Sequence, residues 1–203
     1  MAKSIFEKFD SRLKAENIKK NTSASRKWFL SNAEKLKISR QTLIADPLIT
    51  IGKQIPNSLI EVIGHMFFFR YDPKGKVKLP YWDEFPIVIP FDLQRNHFLG
   101  MNLHYLPPAM RAILLNRLML LISDTNFDAT TRLRVTYQTL KDSAKFRHFK
   151  PTVKKYLKTH IQSNIVKIPS EQRELATFLP LQIWHTSTQD KVWRDSQNKI
   201  NQG

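Results

Sequence analysis

The sequence predicts an α+β fold: a small antiparallel sheet or open barrel, with a basic helical insertion and an N-terminal helical arm. Three observations carry that reading. Between residues 59 and 105, short apolar runs punctuated by Pro and Gly read as strands. On either side, apolar residues recur at helical spacing. The strands come as a group before the helices instead of alternating with them, which favours antiparallel pairing over βαβ units. With 203 residues, 41% of them hydrophobic, the chain is long enough for a real core. It divides into a basic arm, 1–58, and an α+β core domain, 59–203, with basic helices at about 130–162.

The arm begins with an amphipathic helix over 2–20, where Ile5, Phe9, Leu13 and Ala15 or Ile18 recur between Lys and Glu. Asn21-Thr22-Ser23 breaks it. Ser23 or Ser25 caps a second helix, because a hydroxyl there accepts an orphan backbone N–H. Trp28, Phe29, Ala33 and Leu36 form its apolar side. A third short helix follows Ser39 and ends at Asp46-Pro47. The arm carries twelve basic and five acidic residues, a net charge of +7. It either packs on the body or orders on a partner.

The core domain opens with Val62-Ile63 and Met66–Tyr71, too apolar for one-sided alternation and so predicted to be buried on both faces. Asp72-Pro73-Lys74-Gly75 is a turn, since Pro presets φ and Gly tolerates positive φ. Leu79–Pro86 is a Pro-bounded aromatic loop. Ile87-Val88-Ile89 is a strand closed by Pro90. His97–Tyr105 is a further strand, whose interior Gly100 points to a bulge or a close backbone approach. Pro107-Pro108 opens a buried helix through Met110, Leu114, Leu115, Leu118 and Leu121-Ile122, ended by Asp124-Thr125-Asn126. A helix over about 130–146 places Leu133, Tyr137, Leu140 and Ala144 inside. Arg134, Gln138, Lys141 and Lys145 lie on its solvent side. Pro151 opens another helix with Val153, Leu157 and Ile161 inside, and Lys150, Lys154 and Lys158 recur every four residues on another side. Residues 164–168 are a strand, and Pro169-Ser170-Glu171 starts a short helix. Phe178 to Trp184 is a last strand or extended segment. Residues 187–200 are a polar helix anchored by Val192 and Trp193.

Charge is the strongest functional signal. The net charge is +16 and it is unevenly placed. Residues 61–105 balance five basic against five acidic side chains. Residues 129–167 hold ten basic ones (Arg132, Arg134, Lys141, Lys145, Arg147, Lys150, Lys154, Lys155, Lys158, Lys167) against Asp142 alone. Such density costs self-repulsion unless an anion neutralises it, and nucleic acid does so with release of counterions. Phe149 and Tyr156, interleaved with these lysines, are candidates to stack on a terminal base pair; taken singly, each aromatic fits a core position better. The pattern contains no helix-turn-helix, zinc-finger or RNA-recognition signature, so it points to backbone contacts and not to base reading.

Other chemistries find little support. With no cysteine, disulfides, zinc-thiolate sites and thiol catalysis are out. No Gly-rich phosphate loop and no Gly-x-Ser-x-Gly elbow occur. None of the six histidines pairs at i, i+4 with Glu. His97 and His104 are placed on opposite faces of one strand. Asp72, Asp83, Glu84 and Asp92 are the carboxylates a metal nuclease would need, but Asp72 and Asp83-Glu84 read better as turn residues. No catalytic residue, metal or cofactor is expected. Met1–Lys8 lack the apolar run of a secretory signal, no run of 18 apolar residues occurs, and neither a membrane nor a small-molecule substrate is expected.

Several stretches resemble a known family: Ser25-Arg26-Lys27-Trp28-Phe29, Gly64–Lys74 (Gly-His-Met-Phe-Phe-Phe-Arg-Tyr-Asp-Pro-Lys), Leu79–Pro86 (Leu-Pro-Tyr-Trp-Asp-Glu-Phe-Pro), Phe98–Pro108 and Arg132–Tyr137. Together, over roughly residues 25–195, they look like the DNA end protector (head-completion) proteins of T-even-type tailed phages. The resemblance implies a non-enzymatic virion protein of the head and neck region, made in the bacterial cytoplasm. It would bind double-stranded DNA ends, shield them from host exonuclease, and contact head, portal or neck proteins. The family supplies no site residues; the phosphate-contacting set Arg132, Arg134, Lys141, Lys145, Arg147, Lys150, Lys154, Lys155 and Lys158 rests on charge alone. Two rivals remain: a structural neck adaptor whose basic face meets DNA or an acidic protein, and a small nuclease using Asp83 and Asp92.

Overall fold

The computed structural model describes residues 11–19, 22–33, 65–114, 138, 141–142, 150–168 and 173–202. Its centre is a five-stranded antiparallel sheet of β1 (Met66–Phe68), β3 (Ile87–Leu93), β4 (His97–Asn102), β5 (Val153–Leu157) and β6 (Val166–Ile168), in the order β5-β4-β3-β1-β6. The sheet is open, not a barrel: β5 and β6 form its two edges. A separate ribbon pairs β2 (Trp82–Asp83) with β7 (Trp184–His185). Three helices have both ends described: α1 (Ser23–Ala33), α2 (Arg173–Phe178) and α3 (Gln189–Asn201). Residues 11–15 and 108–114 are also helical. The α+β class is therefore as the sequence predicts.

The apolar run at 66–71 is buried on both sides, and the register explains how. Met66 and Phe68 join Ile87, Ile89, Met101, Val166 and Ile168 in one core, under Leu13, Leu114, Ala176 and Phe178 from the helical layer. Phe67, Phe69 and Tyr71 point to the opposite face with Val88, Phe98 and Tyr156, as alternation along a strand requires. On this second face the rings interlock: Tyr156 lies 5.4 Å from Phe69, 4.9 Å from Tyr71 and 5.2 Å from Phe98. Leu13 is 1% exposed, and Ser25 donates to Glu174 of α2 at 2.7 Å. The described part of the arm thus packs on the body.

Several expectations are corrected. The segment after Pro151 is not a helix. It is strand β5, set between 3₁₀ turns at Lys150–Thr152 and Lys158–His160 and paired with β4 from His97↔Leu157 to Met101↔Val153. The reason is arithmetic: a spacing of four residues suits a helix face, but four is also twice the strand period. The basic insertion is therefore strand over its second half. β3 does not stop at Pro90 but passes through it, with a register shift between Pro90 and Asp92; Pro lacks the N–H a ladder needs, and a bulge accommodates it. β4 ends at Asn102, whose side chain accepts from the His104 N–H and turns the chain into the 3₁₀ segment Leu103–Tyr105. His104 is therefore on no strand face. The N-cap of α1 is Thr22, not Ser23 or Ser25: Thr22 Oγ1 accepts from the Ser25 N–H at 3.1 Å, and Ser25 Oγ from the Thr22 N–H at 3.0 Å. The aromatic loop 79–86 contains β2, and Phe178 closes α2 instead of starting a strand.

Other elements follow the sequence. Gly75 takes φ 69°, as its turn requires. Gly100 is a close approach: a Cβ there would lie 2.3 Å from Val88 Cγ1. Val192 anchors α3 at 0% exposure, and Thr188 caps it. The helices expected after Ser39 and at 130–146 fall outside the described residues, except that 138, 141 and 142 are helical.

Candidate nucleic-acid interface

The basic residues of β5 take different environments because a strand splits neighbours between faces. Lys155 is exposed beside Leu99, while Lys154, opposite Gly100, is partly buried. The Lys154 ammonium sits 4.0 Å above the centre of the Tyr105 ring. Burial, with Lys199 nearby, pulls it down to about 8. It is a cation held by an aromatic face more than a solvent-facing charge. Lys150 and Lys158 flank the strand in its 3₁₀ turns, Lys150 exposed and Lys158 partly so. Lysines on an edge strand also discourage edge-to-edge pairing, so the sheet itself benefits from them.

The fold adds cations that the charge count missed. The Lys158 N–H donates to the Asn96 carbonyl at 3.0 Å, which sets exposed Arg95 of the β3–β4 turn beside Lys158. Lys199 of α3 lies near Lys154. Both come from segments that read as neutral or merely polar, and no local signal marks them. Lys167 is exposed on β6, at the other edge of the sheet.

Of the expected contact residues, Lys150, Lys155 and Lys158 come together on and around β5. Lys141 is exposed on its helical segment. Arg132, Arg134, Lys145, Arg147 and Phe149 lie outside the described residues. Tyr156 takes the core position that suited it singly and not the stacking role: it is 3% exposed, ringed by Phe69, Tyr71 and Phe98, and presents no face for a base.

The carboxylates do more than the turn reading gave them. Asp83 forms an Asx turn to the Phe85 N–H, but it is buried and does far more. It also accepts from the Ile183 N–H at 3.1 Å, Asn102 Nδ2 at 3.3 Å and His104 Nδ1 at 2.6 Å. Burial holds His104 below the usual imidazole range against the pull of Asp83, so the ring is neutral with its proton on Nδ1. Arg111, 1% exposed, donates to the carbonyls of Leu106, Thr177 and His104 and lies 5.6 Å from the Trp193 ring. Asp83 offsets its charge. This is an internal brace joining β2, β4 and the 108–114 helix. Asp92 sits elsewhere, on β3, bonded to Gln94. Among the described residues no group of three or more His, Asp or Glu could hold a metal, and no helix is long and apolar enough to cross a membrane.

Glu84, next to Asp83, points the other way. Its Oε1 accepts from Arg70 Nε at 2.8 Å and its Oε2 from His185 Nε2 at 2.7 Å. His185 stacks on Trp82, its partner across the ribbon, with ring centres 4.7 Å apart and planes within 9°. These residues, with Tyr71, Asp72, Lys76 and Gln162, line a cleft of about 370 Å³.

The family model described as "Phage T4 terminal DNA protecting protein" matches residues 3–197. No curated protein and no solved structure matches the chain.

Proposed function

The chain belongs to the phage T4 terminal DNA protecting protein family, and from that premise we propose that it is a non-enzymatic virion protein that binds the ends of packaged linear duplex DNA, shields them from host exonuclease and completes the head against portal or neck proteins. The observation that supports this most is the lysine-bearing edge of the sheet: Lys150, Lys155 and Lys158, with the Arg95-Asn96 turn bonded at Lys158. A strand edge with cations spaced along it suits a phosphate backbone, and such contacts position the protein without reading sequence. In the sequence, Arg132, Arg134, Lys141, Lys145 and Arg147 add five further positive charges between residues 132 and 147. An end cap blocks a nuclease by occupancy, so it needs slow dissociation and no catalytic group.

The test is exonuclease protection of linear duplex at two salt concentrations, with Mg²⁺ and excess circular competitor. Protection that survives the circles is the expected result. Protection lost to circles means a general basic binder, and favours the neck-adaptor role. Degradation without added exonuclease overturns the non-enzymatic part. The triple variant Lys150→Glu/Lys155→Glu/Lys158→Glu is expected to flatten the salt dependence by nearly 3 in log–log slope, at about 0.9 per phosphate contact. An unchanged slope rejects this surface.

A further inference from the structure

We propose that the cleft between Arg70, Trp82, Gln162 and His185 receives an unpaired terminal nucleobase of the DNA end. The assignment rests on the end-binding reading above and adds the site that distinguishes an end from an internal stretch. Three features carry it.

The cleft is built, not incidental. Glu84, with a side chain only 6% exposed, spends both carboxylate oxygens on orientation, one on Arg70 and one on His185. Arg70 is held through Nε, while its side chain remains 52% exposed. The two terminal nitrogens of its guanidinium make no hydrogen bond among the described residues. That is a preoriented donor fork of the kind that pairs with base edges or phosphate. Trp82 and His185 both line the cleft and stack on each other, and a base would add to the outer face of that stack, since aromatic rings accept any base.

The cleft's charge suits a base better than a bare phosphate. Arg70 and Lys76 are matched by Glu84 and Asp72; Lys76 donates to both Asp72 oxygens, at 3.0 and 3.1 Å. Balanced charge with both donors and acceptors, including the exposed Gln162 amide, complements a nucleobase edge. A volume of about 370 Å³ lies at the small-ligand end of the usual pocket range of about 300–1,000 Å³.

The cleft is continuous with the lysine edge. The 3₁₀ turn Lys158–His160 leads from β5 to Gln162, and it is pinned to the cleft's rim by the Asp72 N–H to the His160 carbonyl at 3.1 Å and by His160 Nδ1 to the Asp72 carbonyl at 2.9 Å. Four residues span at most about 14 Å, or roughly four base steps at 3.4 Å per strand. A strand whose phosphates run along Lys155 and Lys158 thus has the cleft within reach of its last base.

The experiment places 2-aminopurine at the last, unpaired position of a short overhang, on either strand, or at an internal paired position. Binding is expected to change the terminal probe's fluorescence at least about twofold through stacking and to leave the internal probe nearly unchanged. Trp82→Leu is expected to abolish that change and to weaken binding to ended DNA about 10-fold, with affinity for circular DNA intact. Gln162→Ala, at an exposed turn with little folding risk, is expected to weaken end binding about threefold and serves if the Trp82 variant misfolds. Free deoxynucleoside monophosphate is the other source of the same base. If it displaces the terminal probe at amounts equal to the DNA, the cleft serves free nucleotides and the assignment fails. A silent terminal probe in a complex that still protects ends overturns the cleft and leaves end binding standing. Loss of all end protection in the native protein overturns both.

Discussion

The lysine edge of β5 and the cleft at the β2–β7 ribbon meet at residues 158–162 and are built on opposite principles. The edge is rich in charge and poor in fixed geometry: Lys155 and Lys150 are exposed, and no hydrogen bond to another described side chain holds their ammonium groups. The cleft is balanced in charge and tightly oriented, with Glu84 bridging Arg70 and His185. Mobile cations in high dielectric attract any polyanion and are screened by salt. Braced groups in a pocket select a shape. The comparison teaches that net charge locates where a backbone can lie, whereas discrimination needs groups whose own partners fix them.

The largest way to break the comparison is to remove the brace under the ribbon. Asp83→Ala leaves His104 Nδ1, Asn102 Nδ2 and the Phe85 and Ile183 N–H groups without their acceptor. A loss of about 3–5 kcal/mol is expected, read by urea unfolding. A loss below 1 kcal/mol would show that the network is dispensable. Next is Gly100→Ala, which forces a Cβ against Val88 Cγ1 and is expected to cost about 1–3 kcal/mol, with the β4–β5 edge distorted and DNA affinity reduced. Thr22→Ala removes the α1 cap and is expected to cost about 1 kcal/mol, while leaving both the edge and the cleft intact; a fall in end protection would mean that the arm takes part.

Titrations separate core from surface. His65 is lowered to about 4 by burial and by Lys167 and Arg173. Its folded value lies below its unfolded value of about 6.5, so between the two pH values the unfolded chain binds the extra proton. Stability should therefore fall as pH falls from 6.5 toward 4, and His65→Leu should flatten that slope in thermal melts. Lys154, lowered to about 8, carries the same sign in a higher window: stability should rise between about pH 8 and its unfolded value near 10.4. Lys154→Met should remove that rise.

Legibility from the sequence was uneven for physical reasons. Met66–Tyr71, Gly75, Gly100 and the Val192–Trp193 anchor were readable because local sterics or an unbroken apolar run dictates them. Lys150, Lys154 and Lys158 misled because spacing by four satisfies a helix and a strand equally; pairing with β4 decided the matter. Tyr156 was open to two readings, a stacking ring among lysines or a core residue; the core place that suited it singly holds, because neighbours on a strand face opposite sides. Asp83 and Glu84 looked alike as turn carboxylates, yet one is turned inward to His104 and the other toward Arg70 and His185. The cleft had only a faint trace, the aromatic loop around Trp82, because Gln162 and His185 reach it from 80 and 103 residues away.

The sequence by itself determined the α+β class, the two-sided burial of β1 and the excess of positive charge over 129–167. Those depend on composition and on local periodicity, which each residue carries with it. The tertiary structure alone decided that Lys158 meets the Arg95-Asn96 turn, that Tyr156 is core, and that Glu84 bridges Arg70 and His185. Each of these depends on strand register, and register is set by which distant apolar faces bury each other, a condition no local stretch of the chain contains.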